Sequence, residues 1–186
     1  GIYKEDISCA LLVITHDAFV DALQPLLEWK KSSGLKVHLV TVNQIFNETS
    51  GGIPSTESIA EYIRYVYENS RDPELGYVML VGDTSTISKY QSFVPSYAYL
   101  DSGNHANDNY FATFGQPDGF PSVAIGRISV QNTQQIANVT RKIIEYERRD
   151  HLGSWRISNL LISASENWAR TDAEWVKKHY VFPDML

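Results

Sequence analysis

Short apolar runs alternate with helical patterns along this chain, and this alternation constrains the fold more than any other feature. The five runs, each bounded by polar residues or glycine, are 8–14, 36–42, 77–81, 123–128 and 157–163. Short runs rich in Val, Ile and Leu are typical of strands buried on both faces. Because strands separated by helices build βαβ units, the sequence predicts an α/β fold with a mostly parallel sheet and helices on both faces.

Three amphipathic helices are predicted between these strands. The first covers 17–33 and is followed by Gly34, a residue suited to the left-handed conformation that ends many helices. The second begins at the capping residues 55–58 and ends before Pro73. The third covers 133–150. Each carries apolar residues at helical spacing, so each is expected to cover the sheet with one face.

Composition and motifs exclude several classes of function. The chain has 16 basic and 22 acidic residues, a net charge of −6, and no basic cluster, so we expect no nucleic-acid partner. No apolar stretch is long enough to span a bilayer, so no transmembrane segment is expected. The glycine motifs that bind phosphate and the G-x-S-x-G elbow are missing from the sequence, which argues against nucleotide binding and an α/β-hydrolase serine.

The polar segment 82–122 follows the third predicted strand and shows little periodicity. Segments this long are usually functional, and this one leaves the strand edge where open α/β sheets bind ligands. Its oxygen-rich side chains could partly supply the ligands that calcium prefers. Asp101, Asp108 and Asp118 are therefore candidate calcium ligands, and the alternative is a loop rich in Asx turns.

Four further residues near strands have an expected structural role. Asp83 follows the third strand and is predicted to bond the backbone of the next segment. Arg127, in the fourth strand, is predicted to pair with Asp83 or Asp108 and to hold the long segment in place. His16 precedes a helix and is predicted to have a capping or surface role rather than a catalytic one. Cys9, the sole cysteine, lies in the first run and is predicted to be a buried core residue rather than a nucleophile.

An ordered set of motifs resembles the gingipain family of secreted bacterial cysteine peptidases. The motifs are LVITH at 12–16, LLEWK at 26–30, GLKV at 34–37, GGIP at 51–54, YVMLVGD at 77–83, DNY at 108–110, PSVAIGR at 121–127 and KIIEYE at 142–147. Their order and spacing match over nearly the whole chain. The resemblance implies a caspase-like catalytic unit of two adjacent α/β subdomains, with a cysteine and histidine dyad in the second.

The resemblance implies that 1–150 form the amino-terminal subdomain and that 151–186 supply the first strand and helix of the catalytic one. The G-H-G segment with the family's histidine and the later cysteine are missing from this sequence. We therefore expect the amino-terminal portion of a secreted cysteine endopeptidase, inactive alone. Its expected partners are the remainder of the catalytic domain and, through the parent enzyme, protein or peptide substrates. The expected location is outside a bacterium or on its surface.

The resemblance also implies a role for residues after the fifth strand. The loop there approaches the specificity pocket in the family, which makes Ser165, Glu166 and Asp172 candidate substrate-binding residues. Calcium is common in relatives and strengthens the expectation of a structural calcium ion; no cofactor is expected to be required.

The alternative function is a noncatalytic interaction or scaffold domain of a bacterial surface or export protein that keeps the peptidase-like fold. Exposed aromatic residues would then anchor a partner, namely Trp155, Trp168, Trp175 and Tyr180. The two hypotheses differ in what is encoded after Leu186, because only a peptidase needs the histidine and cysteine segments.

Overall fold

Strands and helices alternate through most of the chain, as the sequence predicts. The computed structural model describes residues 1–3, 7–85, 91–99, 105–114, 119–148, 153, 158, 161–163 and 165–180. In chain order the elements are β1 (Leu11–Thr15), α1 (Val20–Ser32), β2 (Val37–Thr41), α2 (Val42–Thr49), α3 (Thr56–Asn69), β3 (Tyr77–Val81), β4 (Tyr97–Tyr99), β5 (His105–Asn107), α4 (Tyr110–Thr113), β6 (Ala124–Ile128), α5 (Thr133–Arg148) and α6 (Asn167–Tyr180).

Four of these strands form a parallel sheet in the order β2-β1-β3-β6. In the central strand, Val13 pairs with Leu39 of β2 on one side and with Met79 of β3 on the other. Strands β4 and β5 form a separate antiparallel pair. The predicted α/β class with a mostly parallel sheet is confirmed.

Alternate side chains of the strands enter two cores, one on each face of the sheet. The first core joins the sheet to α2 and α3 and includes Leu12, Ile14, Val78, Leu80, Ile45, Ile59, Tyr62, Ile63 and Val66. The second joins it to α1 and α5 and includes Leu11, Val13, Val81, Leu23, Leu26, Leu27 and Ile136. Burial on both faces explains why β1 is continuously apolar, and it supplies the main driving force for folding.

The predicted helices are present with small changes at their ends. The first consists of a 3-10 turn at Asp17–Phe19 followed by α1, and the third ends at Arg148 rather than at 150. Of the fifth predicted strand, 157–163, the described residues are 158 and 161–163, and none of them is in a strand; 157, 159 and 160 lie outside the described residues.

The short helix α2 was not predicted from the sequence. It begins directly after β2, where the hydroxyl of Thr41 accepts a hydrogen bond from the backbone N–H of Gln44 at 3.3 Å. The side chain of Gln44 in turn accepts one from the backbone N–H of Thr41 at 2.9 Å. This reciprocal capping box converts the end of an apolar run from strand to helix. The predicted strand 36–42 therefore ends one residue early, at Thr41.

The chain divides into two compact units, residues 1–144 and 145–186. The first contains the sheet and both cores. The described part of the second contains α6, which buries none of its side chains. The boundary predicted at residue 150 stays a prediction. No helix among the described residues has the length and hydropathy needed to cross a membrane.

Gly82 follows β3 at a position that only glycine fits. Its φ is +140°, and a Cβ atom added there would lie 2.8 Å from Cβ of Phe93 and 3.1 Å from Cγ2 of Val94. The chain returning at residues 93–94 thus approaches the backbone of Gly82 more closely than any side chain allows.

We predict that Gly82→Ala lowers the free energy of unfolding by about 2–4 kcal/mol, because the new methyl group forces both a strained φ and a displaced Phe93. Gly126→Ala is the matched control, since a Cβ there meets nothing within 4 Å. Its effect should stay within about 1 kcal/mol. Urea unfolding followed by circular dichroism measures both, and equal losses would contradict this account of Gly82.

Candidate functional site at the carboxyl edge of the sheet

The carboxyl ends of β1 and β3 form the topological switch point of the sheet. From β1 the chain crosses to β2 on one side, whereas β3 lies on the other side and leads to β6. Open α/β sheets bind their ligands in the crevice at such a point. His16 follows β1 and Asp83 follows β3, so both predicted residues lie at this edge.

The ring of Phe93 lies between these two strand ends. It contacts the imidazole of His16 edge to face, with ring centroids 5.4 Å apart, and packs on Phe19 with centroids 4.7 Å apart. Its backbone N–H donates to the carbonyl oxygen of Asp83 at 3.0 Å, which fixes it beside Gly82. An aromatic side chain of the chain itself therefore occupies the place where a ligand binds in many α/β proteins.

His16 acts as the cap of the 3-10 turn that precedes α1. Its Nδ1 accepts a hydrogen bond from the backbone N–H of Ala18 at 3.2 Å. The next residue, Asp17, accepts a 2.9 Å hydrogen bond from the hydroxyl of Thr41 at the end of β2. These contacts join the ends of β1 and β2 and place His16 in the capping role expected of it.

Asp83 bonds its own segment and the residues after β6. One carboxylate oxygen accepts from the backbone N–H of Thr84 at 3.0 Å, and the other accepts from Nε2 of Gln131 at 2.7 Å. Its backbone N–H donates to the carbonyl oxygen of Val130 at 2.9 Å. The sequence offers Arg127 two partners, Asp83 and Asp108. In the structure its ion-pair partner is Asp108.

Arg127 is the centre of a hydrogen-bond network at this edge. Its Nε and Nη2 donate to the two carboxylate oxygens of Asp108 at 2.7 and 2.8 Å. Its Nη1 donates to the carbonyl oxygens of Gly82 at 2.8 Å and Val94 at 2.7 Å. The Arg127 side chain is only 8% exposed. One guanidinium group therefore holds together the end of β3, the segment around residue 94 and the turn that begins α4.

Two opposing effects set the charge state of Asp108. Burial raises the pKa of its carboxyl group, but the hydrogen bonds and positive charge of Arg127, with a 2.7 Å hydrogen bond from Ser96, outweigh burial and lower the pKa overall. The carboxylate is therefore ionised at neutral pH, and its pairing with Arg127 is both bidentate and largely shielded from water.

The calcium hypothesis stays a prediction. Asp101 and Asp118 lie outside the described residues, and the described residues contain no group of three or more His, Cys, Asp or Glu side chains that could hold a metal ion. Both carboxylate oxygens of Asp108 accept bonds from Arg127. A guanidinium in contact with a carboxylate opposes the binding of a second cation there.

The candidate substrate-binding residues belong to the second unit. Ser165 and Glu166 precede α6, and Asp172 lies within it; all three are exposed. The carbonyl oxygen of Glu166 accepts from the backbone N–H of Arg170 at 3.2 Å, which starts the helix. Their role in substrate binding stays a prediction.

Sequence reasoning missed three residues of this edge: Phe93, Ser96 and Gln131. Each contacts a residue distant along the chain, and none belongs to a periodic pattern or a turn motif. The one available signal was Gly82 after a buried strand, since glycine at such a place marks a close approach by another part of the chain.

We predict that Asp108→Asn lowers the free energy of unfolding at neutral pH by about 2 kcal/mol, because it removes the charge from a shielded, bidentate pair. The lowered pKa of Asp108 in the folded state means that this contribution is present above its ordinary pKa of about 3.9 and is lost as the pH falls through the folded value. Urea unfolding measured from neutral to acid pH should show that the free energy of unfolding falls less in the variant than in the unmodified chain.

The control for this prediction is Glu68→Gln, which breaks an exposed pair with Arg64 four residues away on α3. It should cost at most about 0.5 kcal/mol. If Asp108→Asn and the unmodified chain had the same free energy of unfolding at every pH, the Asp108–Arg127 pair would not be a stabilising contact.

Comparison with known proteins identifies the family. The sequence profile of peptidase family C25 matches residues 4–184. Among curated protein sequences, none matches this chain significantly.

Solved structures of gingipain-type proteins share the fold. Dimeric latent PorU from Porphyromonas gingivalis has a TM-score of 0.65 and 21% identity, covering 95% of this chain and 21% of that one. The complex of the pro- and mature domains of RgpB from the same organism has a TM-score of 0.68 and 21% identity, covering 84% of this chain and 33% of that one. The Arg-specific cysteine proteinase gingipain R has a TM-score of 0.60 and 21% identity, covering 77% of this chain and 29% of that one.

This chain therefore spans about a fifth to a third of the length of these neighbours. The gingipain resemblance and the caspase-like fold class predicted from the sequence are confirmed. With a profile match over nearly its whole length, this chain belongs to peptidase family C25, the gingipain family of cysteine peptidases.

Proposed function

We propose that this chain is a noncatalytic, supporting part of a gingipain-like cysteine endopeptidase and does not hydrolyse peptides alone. The parent reaction transfers an acyl group from a peptide carbonyl to a cysteine thiolate and then to water. Such a nucleophile needs an exposed thiolate and a base within hydrogen-bond reach. The state of Cys9 is the observation that carries the proposal.

Cys9 is the sole cysteine in the sequence, and its side chain is fully buried in the core between the sheet and α3. Burial raises the pKa of its thiol to about 11, despite a neighbouring hydroxyl from Ser70 that favours the thiolate. At neutral pH the group is therefore a thiol, and no peptide carbonyl can reach it. Both facts argue against Cys9 as a nucleophile.

The histidine beside Cys9 is also engaged elsewhere. The backbone of His38 lies next to the thiol, but its ring Nε2 is 3.0 Å from the hydroxyl of Tyr62. Tyr62 is fully buried, and burial is the main reason why its pKa is raised. The ring of His38 is thus hydrogen-bonded to a buried tyrosine.

The catalytic cysteine and histidine would then be supplied outside residues 1–186, and this chain would contribute a rigid sheet and the ordered edge around Arg127. Membership of the family supports further proposals: protein or peptide substrates for the parent enzyme, a location outside a bacterium or on its surface, and a structural calcium ion in the segment from Asp101 to Asp118, where Asp101, Asp108 and Asp118 are the candidate ligands. The relatives named latent PorU and RgpB pro- and mature domains make a longer, multidomain parent the simplest arrangement.

We predict that the purified chain shows no thiol-dependent hydrolysis of casein or peptide substrates under reducing conditions. Ellman's reagent should react with Cys9 at least about a hundredfold more slowly in the folded chain than in urea, because the reaction requires the core to open. Thiol-dependent cleavage that disappears in Cys9→Ala but persists in the control Ser8→Ala would refute the proposal.

An activity measurement on the full-length gene product distinguishes this proposal from the scaffold alternative. A peptidase should retain thiol-dependent activity in Cys9→Ser, because its nucleophile lies elsewhere in the gene product. A full-length protein that is folded and has no such activity would instead favour a noncatalytic surface or export scaffold.

A further inference from the structure

Strand β6 forms one edge of the parallel sheet, and this edge is open. Among the described residues, only β3 pairs with it. Ala124 and Gly126 of β6 are exposed, whereas β2, the strand at the opposite edge, has no exposed residue. Because glycine has no side chain, the exposure of Gly126 is exposure of the strand backbone itself. The two edges of the sheet therefore differ, and β6 is the accessible one.

The free hydrogen-bonding groups of β6 lie at alternate residues. The backbone N–H of Ala124 donates to the carbonyl oxygen of Gly76 at 3.0 Å, and the carbonyl oxygen of Ile128 points to the same side. Successive residues of a strand direct these groups to opposite edges, so Ile125 and Arg127 direct theirs away from β3. Within the part of the chain that the structure describes, nothing bonds them there. Strand β6 can therefore pair with one more strand.

The sequence of β6 does not protect this edge against such pairing. Edge strands usually avoid it with an exposed lysine, a proline or a bulge. The sequence of β6 is AIGRI, and its register with β3 runs without a bulge. Its one charged residue, Arg127, has a side chain only 8% exposed and paired with Asp108. A strand that approaches this edge would meet no uncompensated charge.

An apolar groove lies beside this edge, on the face of the sheet that packs against α1 and α5. It encloses about 530 Å³, and its lining includes all five residues of β6 with Met79, Leu35 and Ile143. A Cβ atom added at Gly126 meets nothing within 4 Å, so the space next to the middle of the strand is unfilled. An added strand gains affinity from main-chain bonds and places alternate side chains in pockets, and this edge offers both.

We propose that β6 pairs in antiparallel orientation with β6 of a second copy of this chain, around a two-fold axis at Gly126. Ile125 would then lie opposite Arg127 of the second copy, and each such pair exchanges two backbone hydrogen bonds. On the groove side, Ile128 of one copy would lie opposite Ala124 of the other. Cross-strand pairs of this kind are the unit of sheet stabilisation.

The complementarity of β6 with itself is the reason for choosing a second copy as the occupant. The isoleucine at one end of the strand fits beside the alanine at the other end, and both copies use the same patch, as two-fold symmetry requires. Ile125 and Arg127 are equally distant from Gly126 in the chain, so one axis satisfies the backbone groups of both. The dimer goes beyond the proposed function and does not depend on it.

The test is the mass of the chain in solution, measured by sedimentation equilibrium from about 10 µM to about 1 mM, because a short edge predicts weak association. The average mass should rise from that of one chain towards that of two. Gly126→Lys should lower the association constant at least about tenfold, because it brings two positive charges together at the axis. A mass that stays at one chain up to the highest concentration would overturn the proposal.

Two control variants separate pairing at β6 from a general effect of charge. Gly126→Ala keeps the strand neutral and should still dimerise, since the added Cβ has open space. Asn43→Lys adds the same charge at an exposed position of α2 and should leave the association constant unchanged. Equal losses in Gly126→Lys and Asn43→Lys would contradict an interface at this edge.

Hydrogen exchange of the unmodified chain gives a second readout that needs no variant. The amide protons of Ile125 and Arg127 should exchange about threefold or more slowly at the high concentration than at the low one, because only the dimer bonds them. The amide of Ala124, already bonded to Gly76, should change little. A dimer without added protection at Ile125 and Arg127 would use another surface, and this result would also overturn the proposal.

Discussion

The carboxyl edge of the sheet depends on the hydrogen bonds of the Arg127 guanidinium group. It satisfies a carboxylate and two backbone carbonyls that come from three segments distant in sequence. Backbone carbonyls left without a donor in a shielded place are costly, so the segments cannot separate independently. Because Asp108 lies two residues before α4, the same contact also helps to position the start of that helix.

The two cores explain why Cys9 is a packing residue and not a reactive one. A sheet buried on both faces needs apolar residues throughout its strands, and the thiol of Cys9, two residues before β1, meets the same need as a compact hydrophobe. The burial that makes Cys9 useful for packing also suppresses its ionisation. A thiol buried in this way contributes to packing and is poorly suited to act as a nucleophile.

The sequence was informative wherever a pattern is local or periodic. The parallel strands, the helices α1, α3 and α5, and the family motifs all repeat or stand close together in the chain. The contacts of Phe93 with His16 and of Arg127 with Val94 join residues that are far apart in the chain and belong to no periodic pattern. The sequence could not decide whether Arg127 pairs with Asp83 or with Asp108. The helix α2 was missed because its capping box begins inside an apolar run that reads as strand.

The position of Phe93 affects whether the carboxyl edge of the sheet can bind a ligand. Its ring packs on the imidazole of His16 at the edge where open α/β sheets bind ligands, and its Cβ lies against the backbone of Gly82. Because the ring also packs on Phe19 and its backbone bonds Asp83, a ligand could enter this place only if the segment around residue 93 moved away. The closeness of that segment to Gly82 therefore closes a crevice that the topology of the sheet leaves open.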